Sequence, residues 1–106
     1  MESRVIFADE ELKKAFEDLK EEDERLFKEI DGALSAIKQN VFFGRNVRKK
    51  LIPKELIQKY SLNNLWIYNL RKDWRLLYTI TNNEVEILEI VLDWMNHKDY
   101  ERLFGF

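Results

Sequence analysis

The hydrophobic period of this chain changes once, and the change divides it. Up to residue 41 the apolar residues recur at helical spacing; after residue 60 they alternate. Leu12, Phe16 and Leu19 are spaced by four and three, and Leu26, Ile30, Ala33, Leu34, Ile37 and Val41 keep that period, which marks one apolar face on each of two helices. Asp9 is placed to cap the first, with Glu10 and Glu11 in the first turn, where the helix dipole favours carboxylates. The second follows with little break, which predicts an αα-hairpin whose outer face is acidic and solvated. Gly32 lies inside the second helix, where glycine is unfavourable, and this points to a close approach to another element. Ahead of the pair, Arg4–Ala8 is short, apolar and β-branched at its start, and reads as a strand.

The alternating part reads as three antiparallel strands, Leu65–Arg71, Trp74–Thr81 and Glu84–Leu92. Asn82-Asn83 suits a two-residue hairpin turn, because Asn tolerates positive φ. The first hairpin has two candidate registers. A two-residue turn at Lys72-Asp73 mixes polar and apolar residues on each face. A three-residue loop, Arg71 to Asp73, gathers Trp66, Tyr68, Leu70, Trp74, Leu76 and Tyr78 on one face and leaves Ile67, Asn69, Arg75, Leu77 and Thr79 on the other. The second register separates a core face from a half-polar one and is adopted, with Arg75 on the open side. At the C-terminus a short helix is expected: Asn96 caps it, Asp99 sits at its third position, Tyr100, Leu103 and Phe104 are spaced to dock, and Gly105 suits the position after its end. The fold class is therefore α+β, a small antiparallel sheet with an N-terminal αα-hairpin on one face and a short C-terminal helix. With 106 residues, 45% of them apolar, and only three Gly and one Pro, residues 1–106 read as a single domain without a linker.

Several chemistries are excluded outright. The chain has no cysteine, so it has no disulfide framework, thiol nucleophile or thiolate metal site. His97 is its one histidine, which removes two-histidine ribonuclease chemistry and a histidine-rich zinc site. No apolar run approaches the ~18–20 residues of a membrane span, and the acidic N-terminus is unlike a signal peptide, so a cytoplasmic protein is expected.

The net charge of −2 conceals a segregation. Residues 1–31 carry 6 basic and 12 acidic side chains, residues 32–81 carry 10 and 2, and residues 82–106 carry 2 and 6. The middle of the chain is strongly basic between two acidic ends, which reads as a localised anion-binding surface. Most of its charge falls between helix pair and hairpin, at Arg45, Arg48, Lys49, Lys50, Lys54 and Lys59, flanked by Phe42, Phe43 and Tyr60, with Pro53 opening a turn of helix. Cations supply phosphate affinity and aromatics stack on unpaired bases. The same residues also read as a solvated basic loop that balances the acidic helices.

The stretch Leu65-Trp66-Ile67-Tyr68-Asn69-Leu70, followed by Trp74-Arg75-Leu76-Leu77-Tyr78, resembles the hairpin of the RelE/ParE toxin superfamily, an L-Y-x-h-x-L then Y/W-R-h-h-Y pattern in which h is apolar. The expected order of strand, two helices, basic loop, meander and C-terminal helix is similar to RelE over nearly the whole chain. Lys49–Lys54 and the ending His97–Gly105 resemble a branch of short RelE-like proteins.

The resemblance implies the toxin of a type II toxin–antitoxin pair, a RelE-like, ribosome-dependent mRNA endonuclease that inhibits translation. Its partners would be a cognate antitoxin and mRNA on the ribosome, with no metal, cofactor or membrane. Such cleavage requires a deprotonated 2′-hydroxyl, a stabilised phosphorane and a protonated 5′-oxygen. Arg75 matches the family arginine after the hairpin aromatic and is the candidate for phosphate stabilisation; its alternative is an ion pair with Asp73 or Glu89. Tyr100 matches the C-terminal family tyrosine, a proton shuttle or base stacker, or else a packed aromatic. His97 matches the H-x-x-Y ending, either a neutral base in the first helical turn or an exposed bystander. Arg45, Arg48, Lys49, Lys50, Lys54, Arg71 and Lys98 form the expected RNA-binding set.

This chain departs from RelE at Ile67 and Asn69, which stand where RelE carries catalytic lysines. The departure keeps a second class open: a non-catalytic protein on the same fold, either a ParE-like gyrase inhibitor or a toxin homologue that has lost cleavage. In both readings a partly apolar sheet face, at Ile67 and Leu77, is expected to receive the antitoxin.

Overall fold

A computed structural model describes residues 3–71, 74–82 and 84–92. The expected C-terminal helix, with His97, Lys98 and Tyr100, lies outside the described residues, as does Asp73.

Asp9 begins the helical part: its carboxylate accepts from the Leu12 amide at 2.8 Å and starts α1 (Glu10–Glu22). One residue, Asp23, separates α1 from α2 (Glu24–Gln39). Its N–H donates to the Leu19 carbonyl at 2.8 Å, closing α1, and its carboxylate accepts from the Leu26 amide at 3.1 Å, opening α2. The apolar faces converge on a core containing Phe16, Leu26, Ile30, Ala33 and Ile37, while Glu10, Glu11, Glu17, Asp18, Glu21 and Glu22 stay in solvent. Phe16 stacks between Phe7 and Phe27, with ring centroids 5.5 and 4.8 Å away, which ties the first strand to both helices. Gly32 is not a point of close approach. A Cβ there would meet nothing within 4 Å, so the glycine only weakens the helix.

The sheet has five strands in the order β1-β5-β4-β3-β2: β1 (Arg4–Phe7), β2 (Arg45–Asn46), β3 (Trp66–Asn69), β4 (Trp74–Thr81) and β5 (Glu84–Leu92). It is mostly antiparallel. The N-terminal strand pairs parallel with β5, so the sheet is mixed, a correction to the purely antiparallel expectation. Alternation within a strand shows which side chains share a face but not the direction of its neighbour. The hairpin register is the one chosen by hydrophobic pattern: Ile67 pairs with Leu77 and Asn69 with Arg75, and the Leu70 amide donates to the Trp74 carbonyl at 2.9 Å. At the next turn Thr81 pairs with Glu84, and Asn82 takes a φ of 43°.

Both faces of the sheet are packed, which the sequence reading did not anticipate. On one, Leu76, Tyr78, Val85 and Ile87 lie in the core formed with the helix pair. On the other, Ile67, Leu77 and Leu88 are packed with Leu65, just ahead of β3, and with Val47, Ile52 and Leu56 from the segment that holds a 3₁₀ turn (Lys49–Leu51) and α3 (Lys54–Tyr60). Ile67 and Leu77 are each 2% exposed, so they cannot form the open apolar surface expected for a partner. The basic segment is itself a cover: its cations point outward and Val47, Ile52 and Leu56 point in. Pro53 and the change from 3₁₀ to α geometry interrupt any single period there, which hid this amphipathicity.

Candidate functional site

The cover on the second face stops short of the hairpin end, and there the register assembles a polar cluster. Asn69 and Arg75 are Cα partners on β3 and β4, Asn69 exposed and Arg75 half-buried. Nη1 of Arg75 donates to the carbonyl of Trp74 at 3.3 Å. Between Leu77 and Tyr78 the β4–β5 register shifts: Leu77 pairs with Glu89 and Tyr78 with Ile87, leaving Leu88 as the extra residue. This bulge turns two successive side chains toward the same face. Leu88 enters the core, and Glu89, diagonal to Arg75 across the β4–β5 pair, sits at its rim.

Tyr60, the last residue of α3, completes the cluster. Its hydroxyl lies 3.3 Å from Oε1 of Glu89 and 3.4 Å from the carbonyl oxygen of Leu88. Burial, chiefly, raises the Tyr60 pKa, with the Glu89 charge adding to the effect, so the phenol stays protonated and donating near neutrality. Lys59 places its ammonium 5.1 Å from the Tyr60 ring centroid, and contact with Tyr60, followed by the charge of Glu89, raises its pKa. Guanidinium, carboxylate, phenol and ammonium are thus grouped around one end of the sheet. Together they offer phosphate binding, proton acceptance and proton donation.

The expected site residues divide among three places. Arg45 lies on β2, Arg48 just before the 3₁₀ turn, Lys49 and Lys50 within it, and Lys54 at the start of α3; all five are exposed on the cover. Arg71 departs from that group. It lines an open cleft of about 630 Å³ with Arg25, Lys28 and Glu29, and its backbone N–H donates to the Glu29 carboxylate. His97, Lys98 and Tyr100 lie outside the described residues, as noted above. Glu89, the alternative ion-pair partner of Arg75, lies diagonal to it across β4 and β5 and has the Tyr60 hydroxyl 3.3 Å from its Oε1.

Sequence reading had Glu89 only as an ion-pair alternative for Arg75, Lys59 only as one cation of the basic segment and Tyr60 only as a flanking aromatic; it did not bring the three together. Glu89 occupies an alternating position that looks like ordinary solvent-facing charge, and only the bulge gives it this placement. Ile67, one of the two positions that the resemblance aligns with catalytic lysines, is buried beneath the cover. Among the described residues no three His, Asp or Glu side chains are grouped to hold a metal ion, and no helix is long and apolar enough to cross a membrane.

No family model matches the chain, and neither does any curated protein or solved structure. The RelE/ParE resemblance therefore rests on the residues quoted for it alone.

Proposed function

We propose that the protein is the toxin of a type II toxin–antitoxin pair, a cytoplasmic, metal-independent endoribonuclease of RelE type that cuts mRNA on the ribosome. The observation that carries this reading is the juxtaposition of Arg75 and Glu89 at the uncovered end of a sheet face whose remaining cover is basic. In the proposed reaction the Glu89 carboxylate takes the proton of the RNA 2′-hydroxyl, and the 2′-oxygen attacks the adjacent phosphorus. Arg75 neutralises the charge that develops on the phosphorane oxygens. The P–O5′ bond breaks, and the departing 5′-oxygen receives the Tyr60 hydroxyl proton. Tyr60 is restored by the proton that Glu89 accepted, through their hydrogen bond. The products are a 2′,3′-cyclic phosphate and a 5′-hydroxyl.

The test is incubation of purified protein with translating ribosomes, with cut sites mapped on the message. Cuts within the A-site codon are expected, and they should disappear with Arg75→Ala. Intact mRNA at stoichiometric protein overturns the endonuclease reading.

One observation favours a second reading, a binding protein on the same fold that has lost cleavage or acts on gyrase. Ile67 is buried and Asn69 is neutral, so neither position of the strand lysines carries charge. Inhibition of gyrase supercoiling by the protein, with mRNA left intact, would select the ParE-like form.

A further inference from the structure

Among the described residues only two large apolar side chains stand well out of the surface, and they are neighbours. Phe42 is 64% exposed and Phe43 is 56% exposed. They sit on the loop between α2 and β2, and that loop is held tightly. The Phe42 amide donates to the side-chain oxygen of Asn40 at 3.1 Å, and the Phe43 amide donates to the Asn40 carbonyl at 3.0 Å. The Gly44 amide donates to the Tyr78 hydroxyl at 2.9 Å, and that hydroxyl donates to the Val41 carbonyl at 2.9 Å. Three consecutive amides are therefore fixed, the last by a tyrosine buried in the main core. Gly44 permits the approach, since a Cβ there would lie 2.7 Å from the Tyr78 hydroxyl oxygen and 2.8 Å from the Ile67 carbonyl oxygen.

The rings are as well supported as the backbone. Phe42 packs against Trp66 with centroids 5.4 Å apart, and Phe43 stacks on Tyr68 at 5.6 Å and 28°. Each phenyl has one side braced by a sheet aromatic while most of its surface stays in water. A loop shaped only by folding would turn such rings inward, because each exposed phenyl forgoes burial that favours the folded state. The charge that follows them along the chain is of one sign. Arg45, Arg48, Lys49 and Lys50 follow within seven residues of Phe43, all exposed, and no acidic residue occurs between Asp31 and Glu55.

We propose that Phe42 and Phe43 are a preformed stacking platform for unpaired bases of single-stranded RNA, with Arg45, Arg48, Lys49 and Lys50 holding its phosphates. Braced rings next to a run of cations match what single strands offer, flat π-faces repeating along an anionic backbone. The platform and the polar cluster lie on opposite faces of β3: Phe43 stacks on Tyr68, whereas the next residue, Asn69, pairs with Arg75 on the other face. The inference shares with the proposed function only the premise that the chain engages RNA, and it stands whether or not the RNA is cut.

Binding of a fluorescent oligouridylate of about a dozen nucleotides by the full chain, without ribosomes, tests the platform. Phe42→Ala and Phe43→Ala should each weaken binding by about five-fold or more, and the double variant by at least about 25-fold. The double variant Phe42→Leu/Phe43→Leu keeps the apolar area without the rings and should bind as weakly, whereas Phe43→Trp should restore or tighten binding. Both phenylalanine variants should keep the wild-type salt slope, while Lys49→Ala/Lys50→Ala should flatten it by about 0.7 per lost phosphate contact. Duplex RNA of equal length should not respond to the phenylalanine substitutions. Wild-type affinity in the leucine or alanine double variant overturns the platform. So does concentration-dependent self-association that the alanine variant abolishes without changing RNA affinity, since the patch is then an interface between copies of this chain. Cleavage on ribosomes is scored separately, so loss of A-site cutting with oligouridylate binding intact overturns the endonuclease reading alone.

Discussion

The Tyr78 hydroxyl sits 2.9 Å from the Gly44 amide nitrogen, joining the centre of the main core to a surface loop 34 residues away in sequence. Through the same oxygen it reaches the Val41 carbonyl. Tyr78→Phe removes one acceptor and one donor and leaves two backbone groups without their partner, which is expected to destabilise by about 1–3 kcal/mol. Gly44→Ala places a Cβ against two oxygens and is expected to fall in the same range. Urea denaturation measures both, and because they disturb one junction, the double variant should cost less than the sum of the two.

Asn64 extends the sheet with its side chain. Its Nδ2 donates to the Ile80 carbonyl at 2.8 Å and its Oδ1 accepts from the Ile80 amide at 2.9 Å, where a further β3 residue would otherwise pair. The buried Thr79 hydroxyl also meets the Asn64 carbonyl oxygen at 2.9 Å. Asn64→Ala should destabilise by about 2 kcal/mol or more, and Asn64→Asp should not rescue it at neutral pH, since a carboxylate lacks the donor that Ile80 requires. Amide hydrogen exchange at Ile80 is the local readout, and unchanged protection there would argue against the bridge.

Gly32 is the converse case, a residue with no structural demand upon it. It lies exposed in the middle of α2 with open space around its Cα. Gly32→Ala is expected to raise the stability by about 0.5–1 kcal/mol, through helix propensity and the lower entropy of the unfolded chain. A thermal melt that rises by a few degrees supports it; a fall would mean that α2 approaches something at that point.

Alkaline pH should act through two tyrosines. Burial raises the pKa of both Tyr78 and Tyr60 above the ordinary 10.0. A group with a raised folded pKa contributes stability that is intact below its unfolded pKa and is lost as pH rises through the folded one. Stability contributed by these two groups should therefore be level up to about pH 10 and fall above it. Tyr78→Phe, although less stable at neutral pH, should show a shallower alkaline decline. An equally steep decline in that variant would place the effect on other groups.

In the polar cluster, Glu89→Gln preserves shape and can still accept from Tyr60, but it cannot take a proton. If the proposed reaction holds, cleavage should fall by about 10²–10⁴-fold, the scale of general-base catalysis, with folding and oligouridylate affinity little changed. Tyr60→Phe should reduce cleavage by less, because solvent can protonate a departing oxygen. Full activity in Glu89→Gln would leave Arg75 without this base.

Some of the fold could be read from the residues because its signals are local. The helix pair and the two long strands were legible in apolar spacing, and Asp9 was legible as a cap. The hairpin register followed from the requirement that Trp66, Tyr68, Leu76 and Tyr78 share one face, which Ile67 opposite Leu77 satisfies. Charge segregation also needed no coordinates, and it located the exposed cations of the cover.

Tertiary structure decided what depends on contacts between distant segments. β1 lies parallel to β5, the strand furthest from it in sequence, and no pattern inside Arg4–Phe7 encodes that neighbour. Ile67 and Leu77 were expected to lie open and are covered, because Val47, Ile52 and Leu56 reach them from a segment without a regular period. Glu89 acquired its partners from one unpaired residue at Leu88, a shift visible only when two strands are aligned. Phe42 and Phe43 looked like any aromatics beside a basic loop. Their exposure on a rigid support follows from a tyrosine that sequence reading assigned only to the core, whose hydroxyl reaches out to fix the loop that carries them.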